Sequence, residues 1–214
     1  MKSYDYFILM LTPQVLQVLS VFLYCSTERN TMKKWQHFVR DLRLMMLEKD
    51  NFDYLYNSNG EILDTYDKAY KLCKQNWELY PAHFEKYVTA KGYKFEDLVE
   101  RVKGKKVFDC SSLVLAFSQC EGDIYDFYVK QDMSSWGIRN KMIDITSIPD
   151  GLWGQVLWRE GHVGIDVGNG LIVDDACEFV GMREYRFDSP TAFATAFTDS
   201  GKLPWIDYTG SINL

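Results

Sequence analysis

The stretch GHVGIDVGNGLIVDDA, residues 161–176, alternates apolar side chains with other residues before a glycine-rich turn and continues after it with an apolar run that leads into two aspartates. Val163, Ile165 and Val167 fall on one face of the first strand and His162 on the other, because successive side chains in a strand point in opposite directions. The GNG tripeptide is typical of a hairpin turn, and LIVDDA is expected to form the returning strand. The stretch therefore predicts an antiparallel hairpin whose histidine points away from the core, onto an open face.

The length of this turn decides which aspartate of the returning strand lies on the face of His162. A two-residue Asn-Gly loop would pair Gly164 with Asp175 and place Asp175 on the histidine face. A three-residue Gly-Asn-Gly loop would pair Gly164 with Asp174 instead, diagonal to His162. The sequence leaves both registers open, and in either one Gly164 leaves space for the side chains to meet.

Helical periodicity dominates the chain before this hairpin. Apolar residues recur at spacings of three and four over residues 32–49, and again over residues 62–80, where Pro81 is expected to end the helix. A turn is predicted at residues 57–61, and a shorter helix at residues 95–102.

The run SSLVLAFSQC predicts a buried helix that begins at or just after Cys110. An irregular stretch is expected from there to Trp153, and MREYRF at residues 182–187 indicates a further strand. Helices first and antiparallel strands later indicate the α+β class, with N-terminal helices packed on a small antiparallel β-sheet.

Charge and cysteine spacing exclude several classes of function. The net charge is -6, with no block rich in Lys or Arg, which argues against nucleic acid or an anionic membrane surface as the main partner. The five cysteines form no CxxC or CxxH pair, so neither a zinc site nor a dense disulfide framework is predicted. We expect no metal and no organic cofactor.

The N-terminal segment, residues 1–31, is strongly apolar. It is interpreted as a signal peptide, a short membrane anchor, an extension ahead of a true start at Met32, or an ordered packed helix. Residues 32–214 are expected to form the functional domain, with membrane contact only through residues 6–25. The protein is then secreted or associated with a cell envelope, and it is cytoplasmic if Met32 is the start.

Cys110 is the candidate nucleophile because it stands where a polar turn meets a helix. Partial positive charge and unpaired N–H groups at a helix N-terminus favour a thiolate, and the same groups can bind the oxyanion of an attacked acyl group. The alternative interpretation is an ordinary buried thiol.

His162 is the candidate base, 52 residues after Cys110 and flanked by glycines. Asp174 or Asp175 would orient its imidazole and stabilise the cation. The other histidines, in WQHFV and PAHFE, are interpreted as structural because nothing near them in the sequence orients them toward a nucleophile.

These motifs resemble the NlpC-type cysteine peptidases of the papain-like superfamily. The resemblance rests on FDCSSLV, GHVGIDVGNG and LIVDDA, and the segments DMSSWG and TSIPDGLWGQVLWREGHVG are similar to a clostridial or prophage-like branch. It implies a papain-like fold and hydrolysis of amide bonds in peptidoglycan stem peptides, usually between D-glutamate and the diamino acid.

The resemblance also implies roles for individual residues. Cys110, His162 and Asp174 match the nucleophile, base and third residue in an ungapped comparison, with Asp175 as the alternative third residue. YLYNSNGE is similar to the family segment whose first tyrosine lies beside the nucleophile, which is Tyr54. Residues implied at the oxyanion or substrate are Tyr54, Asp109 and Ser111.

The chain departs from the family pattern at three further positions. Ser112 and Asn57 stand where glycine is usual, and Asp166 stands where tyrosine is usual. These changes concern substrate preference more than the Cys-His pair.

Three other functions fit the same sequence. A CHAP-type amidase or a transglutaminase-like acyl transferase shares the order of cysteine and histidine, and an aspartate as third residue suits the latter. A third alternative is a catalytically inactive module that binds cell wall or belongs to a phage tail.

Overall fold

The computed structural model describes residues 32–147, 153–186 and 197–210, all but Met32 within the unit Lys33–Leu214. The predictions for residues 1–31 lie outside these ranges. The helices are α1 (Trp35–Leu47), α2 (Tyr66–Leu79), α3 (Pro81–Tyr87), α4 (Phe95–Val102), α5 (Cys110–Gln119) and α6 (Ser135–Lys141). The strands are β1 (Lys33–Lys34), β2 (Phe52–Tyr54), β3 (Asn59–Ile62), β4 (Lys106–Phe108), β5 (Ile143–Thr146), β6 (Val156–Arg159), β7 (His162–Gly168), β8 (Leu171–Asp175), β9 (Met182–Arg186), β10 (Asp199–Lys202) and β11 (Ile206–Asp207).

The strands of the described ranges form three sheets. The largest has the order β5-β10-β6-β7-β8-β9 with every neighbouring pair antiparallel. A three-stranded sheet has the order β2-β4-β3, and β1 pairs with β11. Helices and sheets together confirm a mixed α+β class. Among the described helices, none is long and apolar enough to cross a membrane.

Two hydrophobic clusters hold these elements together. The first joins α1 and α5 to the face of the large sheet that carries Val163, Ile165 and Val167, all fully buried, which confirms the predicted core face of β7. Each such side chain contributes roughly 1.5–3 kcal/mol by leaving water. The second cluster joins α2, α3 and α4 to the small sheet through residues that include Leu63, Cys73, Phe84, Leu98 and Val107.

The turn between β7 and β8 contains two residues. Asn169 and Gly170 have φ of 56° and 72°, as a type I′ turn requires, and Gly168 pairs with Leu171 across it. One step further the register shifts, because β7 carries one extra residue between Asp166 and Gly168. The Asp166 carboxylate accepts a hydrogen bond from the Gly168 N–H at 2.7 Å, which closes this bulge.

The bulge decides the register that the sequence left open. On the far side of the bulge from the turn, Gly164 pairs with Asp174. The turn therefore has two residues, but the pairing is the one expected from a three-residue loop. Asp174 therefore lies on the face of His162, and Asp175 on the opposite face.

Some predicted elements differ from the structure. Helices at residues 32–49 and 95–102 are confirmed as α1 and α4. Pro81 does follow the end of α2, but it also begins α3, because a proline at the first helical position loses no hydrogen bond. The turn predicted at residues 57–61 is limited to its first half: Asn57 has a φ of 60°, and β3 begins at Asn59.

The stretch expected to be irregular between α5 and Trp153 contains α6 and β5. The prediction was wrong there because both elements are short, with seven and four residues, and show too little periodicity to identify. The three-residue strands β2 and β4 were missed for the same reason.

Candidate active site

Cys110 is the first residue of α5, directly after β4 and its connecting residue Asp109. The Asp109 carboxylate accepts hydrogen bonds from the Ser112 N–H and the Ser111 hydroxyl, each at 2.8 Å. In return the Ser112 hydroxyl accepts from the Asp109 N–H at 2.7 Å. This reciprocal cap starts the helix at the cysteine and confirms the predicted helix N-terminus.

The cap gives a structural reason for the serine at position 112. A glycine there would lack the hydroxyl that closes the cap. The contacts of Asp109 and Ser111, expected at the oxyanion or substrate, are with the helix terminus itself. Burial raises the pKa of Asp109, although the hydrogen bonds from Ser112 and Ser111 oppose that shift.

The Cys110 thiol lies against the backbone of β7. Burial first, and the Asp109 carboxylate second, raise the pKa of this thiol, and the backbone N–H of Val163, the residue after the candidate base, opposes the rise. The helix N-terminus is therefore present as expected, but the thiolate that it was expected to favour is opposed by loss of water and a nearby negative charge.

His162 is hydrogen-bonded to Asp174, with 2.8 Å between Nε2 and Oδ2. Asp174 is fully buried and also accepts from Arg183, through Nε at 2.8 Å and Nη2 at 2.6 Å, and from the Tyr185 hydroxyl at 3.1 Å. Burial alone would raise the pKa of Asp174, but the hydrogen bonds from His162 and Arg183 outweigh it and lower that pKa.

The ionised state of Asp174 fixes the roles of the two ring nitrogens of His162. A carboxylate only accepts hydrogen bonds, so Nε2 of the imidazole must be the donor. Nδ1 is then the nitrogen that can accept a proton.

The face of the sheet that carries His162 is covered, which corrects the expected open face. The Phe197 ring stacks on the imidazole with 5.9 Å between centroids. A side chain at Gly164 would approach that ring to 3.0 Å and the Asp174 side chain to 3.3 Å, so glycine provides the space in which histidine and acid meet.

Among the hydrogen bonds of the described residues, none joins the Cys110 thiol to the His162 imidazole. Cys110 contacts the backbone of β7 at Val163, whereas the His162 ring is turned to Asp174. The structure thus joins base and acid, and it places the nucleophile candidate beside the same strand without a direct bond to the base.

Asp175 differs from its neighbour although it is equally buried. Neither of its carboxylate oxygens has a hydrogen-bond partner. Burial, followed by the charges of Asp53 and Asp174, raises the pKa of Asp175 well above its usual value. Of the two candidate third residues, only Asp174 contacts His162.

Tyr54 lies at the end of β2, where it pairs with Phe108 just ahead of the α5 cap. It is buried, and burial followed by the charge of a Cys110 thiolate raises its pKa well above the usual value. The Tyr54 hydroxyl is therefore protonated at neutral pH and can donate a hydrogen bond.

A second imidazole–carboxylate pair was missed. His83 contacts the buried Glu178 at 2.8 Å between Nε2 and Oε2, and its ring stacks on Tyr56 with 3.9 Å between centroids. No signal in the sequence joins residues 95 positions apart. His37, in contrast, is half exposed and lies 3.6 Å from Glu121.

Arg183 and Tyr185 were also missed, although the sequence predicts MREYRF as a strand. The two-residue repeat of a strand places both side chains on one face, but the pairing of Arg183 with Asp174 depends on the register of β9 against β8. Both line a groove of ≈1050 Å³, together with Arg43, Leu47, Lys49 and Met182.

Within the described ranges, no group of three or more His, Cys, Asp or Glu side chains is arranged to hold a metal ion. Comparisons with protein-family models, with curated proteins and with solved structures each find no match to this chain.

Proposed function

We propose that this protein is a cysteine peptidase with an NlpC-type, papain-like fold that hydrolyses amide bonds in peptidoglycan stem peptides. The bond is of the D-glutamyl–diamino acid type, and the protein acts outside the cell or in its envelope. The observation that carries the proposal is the His162–Asp174 pair on the strand whose next residue, Val163, lies beside the thiol of Cys110. The motif resemblance supplies the substrate class.

The reaction begins when the Cys110 side chain turns from the Val163 N–H to Nδ1 of His162, which takes the thiol proton. The sulfur attacks the peptide carbonyl, and the oxyanion is bound by the Cys110 backbone N–H and the Tyr54 hydroxyl. The C–N bond breaks as the imidazolium gives its proton to the leaving amine. Water then attacks the thioester, His162 takes a proton from that water, and the acid product leaves as the thiol is restored.

The raised pKa of Cys110 means that the resting group is a neutral thiol. Proton transfer must therefore accompany substrate binding, a behaviour consistent with catalytic hydrogen bonds that tighten only in the substrate complex. Activity is expected to rise from acid toward alkaline pH.

The test is digestion of purified peptidoglycan, with the products identified by mass spectrometry. Cys110→Ala should abolish cleavage while circular dichroism and thermal unfolding stay close to those of the parent. Cys177→Ala is the matched control, because Cys177 is also a partly buried free cysteine but contacts Lys91 instead. Cleavage that persists in Cys110→Ala would rule out the proposed nucleophile. The masses of the products also separate this peptidase from a CHAP-type amidase or an acyl transferase, which leave different ends.

A second candidate is a binding module of cell wall or phage tail that keeps the fold without activity. The raised pKa of Cys110, caused mainly by burial of its thiol, favours it. A stem peptide that carries a chloromethyl ketone separates the two, because it occupies the site as a substrate would. In a peptidase it alkylates Cys110 faster than Cys177 and His162→Ala removes the difference, whereas equal rates in the parent indicate the module.

A further inference from the structure

The Asp174 carboxylate receives four hydrogen bonds from three side chains. Its Oδ2 accepts from His162 Nε2, Arg183 Nη2 and the Tyr185 hydroxyl, and its Oδ1 accepts from Arg183 Nε. Two parallel bonds from one guanidinium fix both the position and the plane of a carboxylate. The acid that faces the histidine is therefore held from its far side.

The register of β9 produces this arrangement. Arg183 pairs directly with Asp174, and Tyr185 lies two residues further along the same face of β9. Asp174 is fully buried, so its hydrogen bonds come from these side chains. A lysine at position 183 would supply a point charge without the planar pair of donors.

Loss of the guanidinium would reverse the direction of the bond between acid and base. A buried carboxylate without its cation becomes protonated, because burial penalises the charged form. A protonated Asp174 can donate to Nε2 of His162. The ring proton would then move to Nδ1, the nitrogen that must be empty to accept a proton from Cys110.

We propose that Arg183, assisted by Tyr185, is a positioning residue that holds Asp174 as an acceptor and thereby keeps His162 in the tautomer with Nδ1 unprotonated. The effect of Arg183 on catalysis rests on the proposed peptidase function. The effect of Arg183 on the tautomer of His162 is independent of that function, because the tautomer is a property of the resting protein.

The tautomer is measured by nitrogen NMR of the full-length Cys110→Ala protein labelled at histidine. His37→Gln and His83→Gln assign the signals. In this background His162 should show a protonated Nε2 and a free Nδ1. Arg183→Met should populate the Nδ1-protonated form, and Arg183→Lys should do so partly.

Arg43→Met is the matched control for this experiment. Arg43 lines the same groove and donates to the Val167 carbonyl at 2.9 Å, without touching Asp174. Its removal should leave the His162 signals unchanged. A folded Arg183→Met protein with the parental tautomer would overturn the proposal. If Arg183→Met does not fold, unchanged tautomers in both Arg183→Lys and Tyr185→Phe would do the same.

Kinetics give a second readout that a purely structural ion pair would not move. Arg183→Met should lower kcat on a stem peptide on the order of 10- to 100-fold with little change in KM, the usual size of effect for groups that orient a catalytic residue. Millimolar methylguanidine, which can enter through the groove, should restore part of the activity of Arg183→Ala. Lack of any fall in kcat in folded Arg183→Met contradicts the role, whereas absence of cleavage by the parent protein contradicts the proposed function and leaves the NMR test valid.

Discussion

The two faces of β8 carry neighbouring aspartates with opposite surroundings. Asp174, on one face, is buried with four hydrogen bonds and a lowered pKa. Asp175, on the other, is buried with no partner and a strongly raised pKa. Burial is the same for both, so the charge state of a buried acid here is decided by its donors. An ionised acid can orient an imidazole, and of these two aspartates it is Asp174 that is hydrogen-bonded to His162.

The largest expected difference between the two faces is in catalytic activity, when each aspartate is replaced in turn by asparagine. Asp174→Asn replaces an acceptor by a group that can donate to His162, so kcat should fall about 10³-fold or more, as it does when a triad loses its orienting carboxylate. Asp175→Asn should leave kcat within about threefold. Hydrolysis of a purified stem peptide, with the folded state of each variant checked by circular dichroism, gives the comparison. Equal losses would mean that the two acids do not differ in the way described.

The same substitutions should change the pH dependence of stability in opposite directions. The pKa of Asp175 is raised on folding, so its ionisation favours the unfolded chain and stability falls as pH rises above the unfolded value, about 3.9. Asp175→Asn removes this pH-dependent loss of stability. Its free energy of unfolding should therefore equal that of the parent at pH 4 and exceed it by roughly 1–3 kcal/mol at pH 8.

Asp174 has the reverse sign because its pKa is lowered on folding. The parent gains stability from Asp174 above the unfolded pKa and loses it as pH falls through the folded value. Asp174→Asn should therefore be less stable than the parent at pH 7, by roughly 3–5 kcal/mol, because the half-buried Arg183 loses its charged partner. The difference in the free energy of unfolding should become smaller at acid pH. Urea unfolding from pH 4 to 8 measures both variants. Parallel pH profiles for the two would contradict the assignment of charge states.

Asp109 provides the smallest test of the same principle, since it is a half-buried acid whose hydrogen bonds come from its own helix. Ser112→Gly removes one reciprocal bond of the cap and should destabilise the protein by about 1 kcal/mol. The matched control is Ser118→Gly, further along the same helix, whose hydroxyl contacts the Leu115 carbonyl and Trp205 instead of the cap. Urea unfolding measures the loss in both variants. The rate at which Cys110 is alkylated should differ from that of the parent in Ser112→Gly but not in Ser118→Gly. Identical rates in the two variants would argue against a role of the cap in holding the cysteine.

Local pattern was sufficient to predict β7, β8 and the start of α5, because alternation and a polar residue before an apolar run are visible within ten residues. Local pattern could not predict the choice between Asp174 and Asp175, because that choice depends on a one-residue bulge held by the Asp166 side chain. The four bonds to Asp174 depend on the register of β9, and the raised pKa of Cys110 depends on how deeply tertiary packing buries it. These are properties of pairing and burial that a single segment does not encode.

The bulge in β7 also governs how this hairpin tolerates insertions and deletions. Because β7 holds one residue more than β8 between the turn and Gly164, deleting Val167 would straighten the ladder and still leave Gly164 opposite Asp174. One residue inserted after Leu171 would have the same result. A homologue can therefore lose or gain a residue at this point and keep the same acid facing its histidine, whereas a length change between Gly164 and Asp166 would exchange the two faces of the strand.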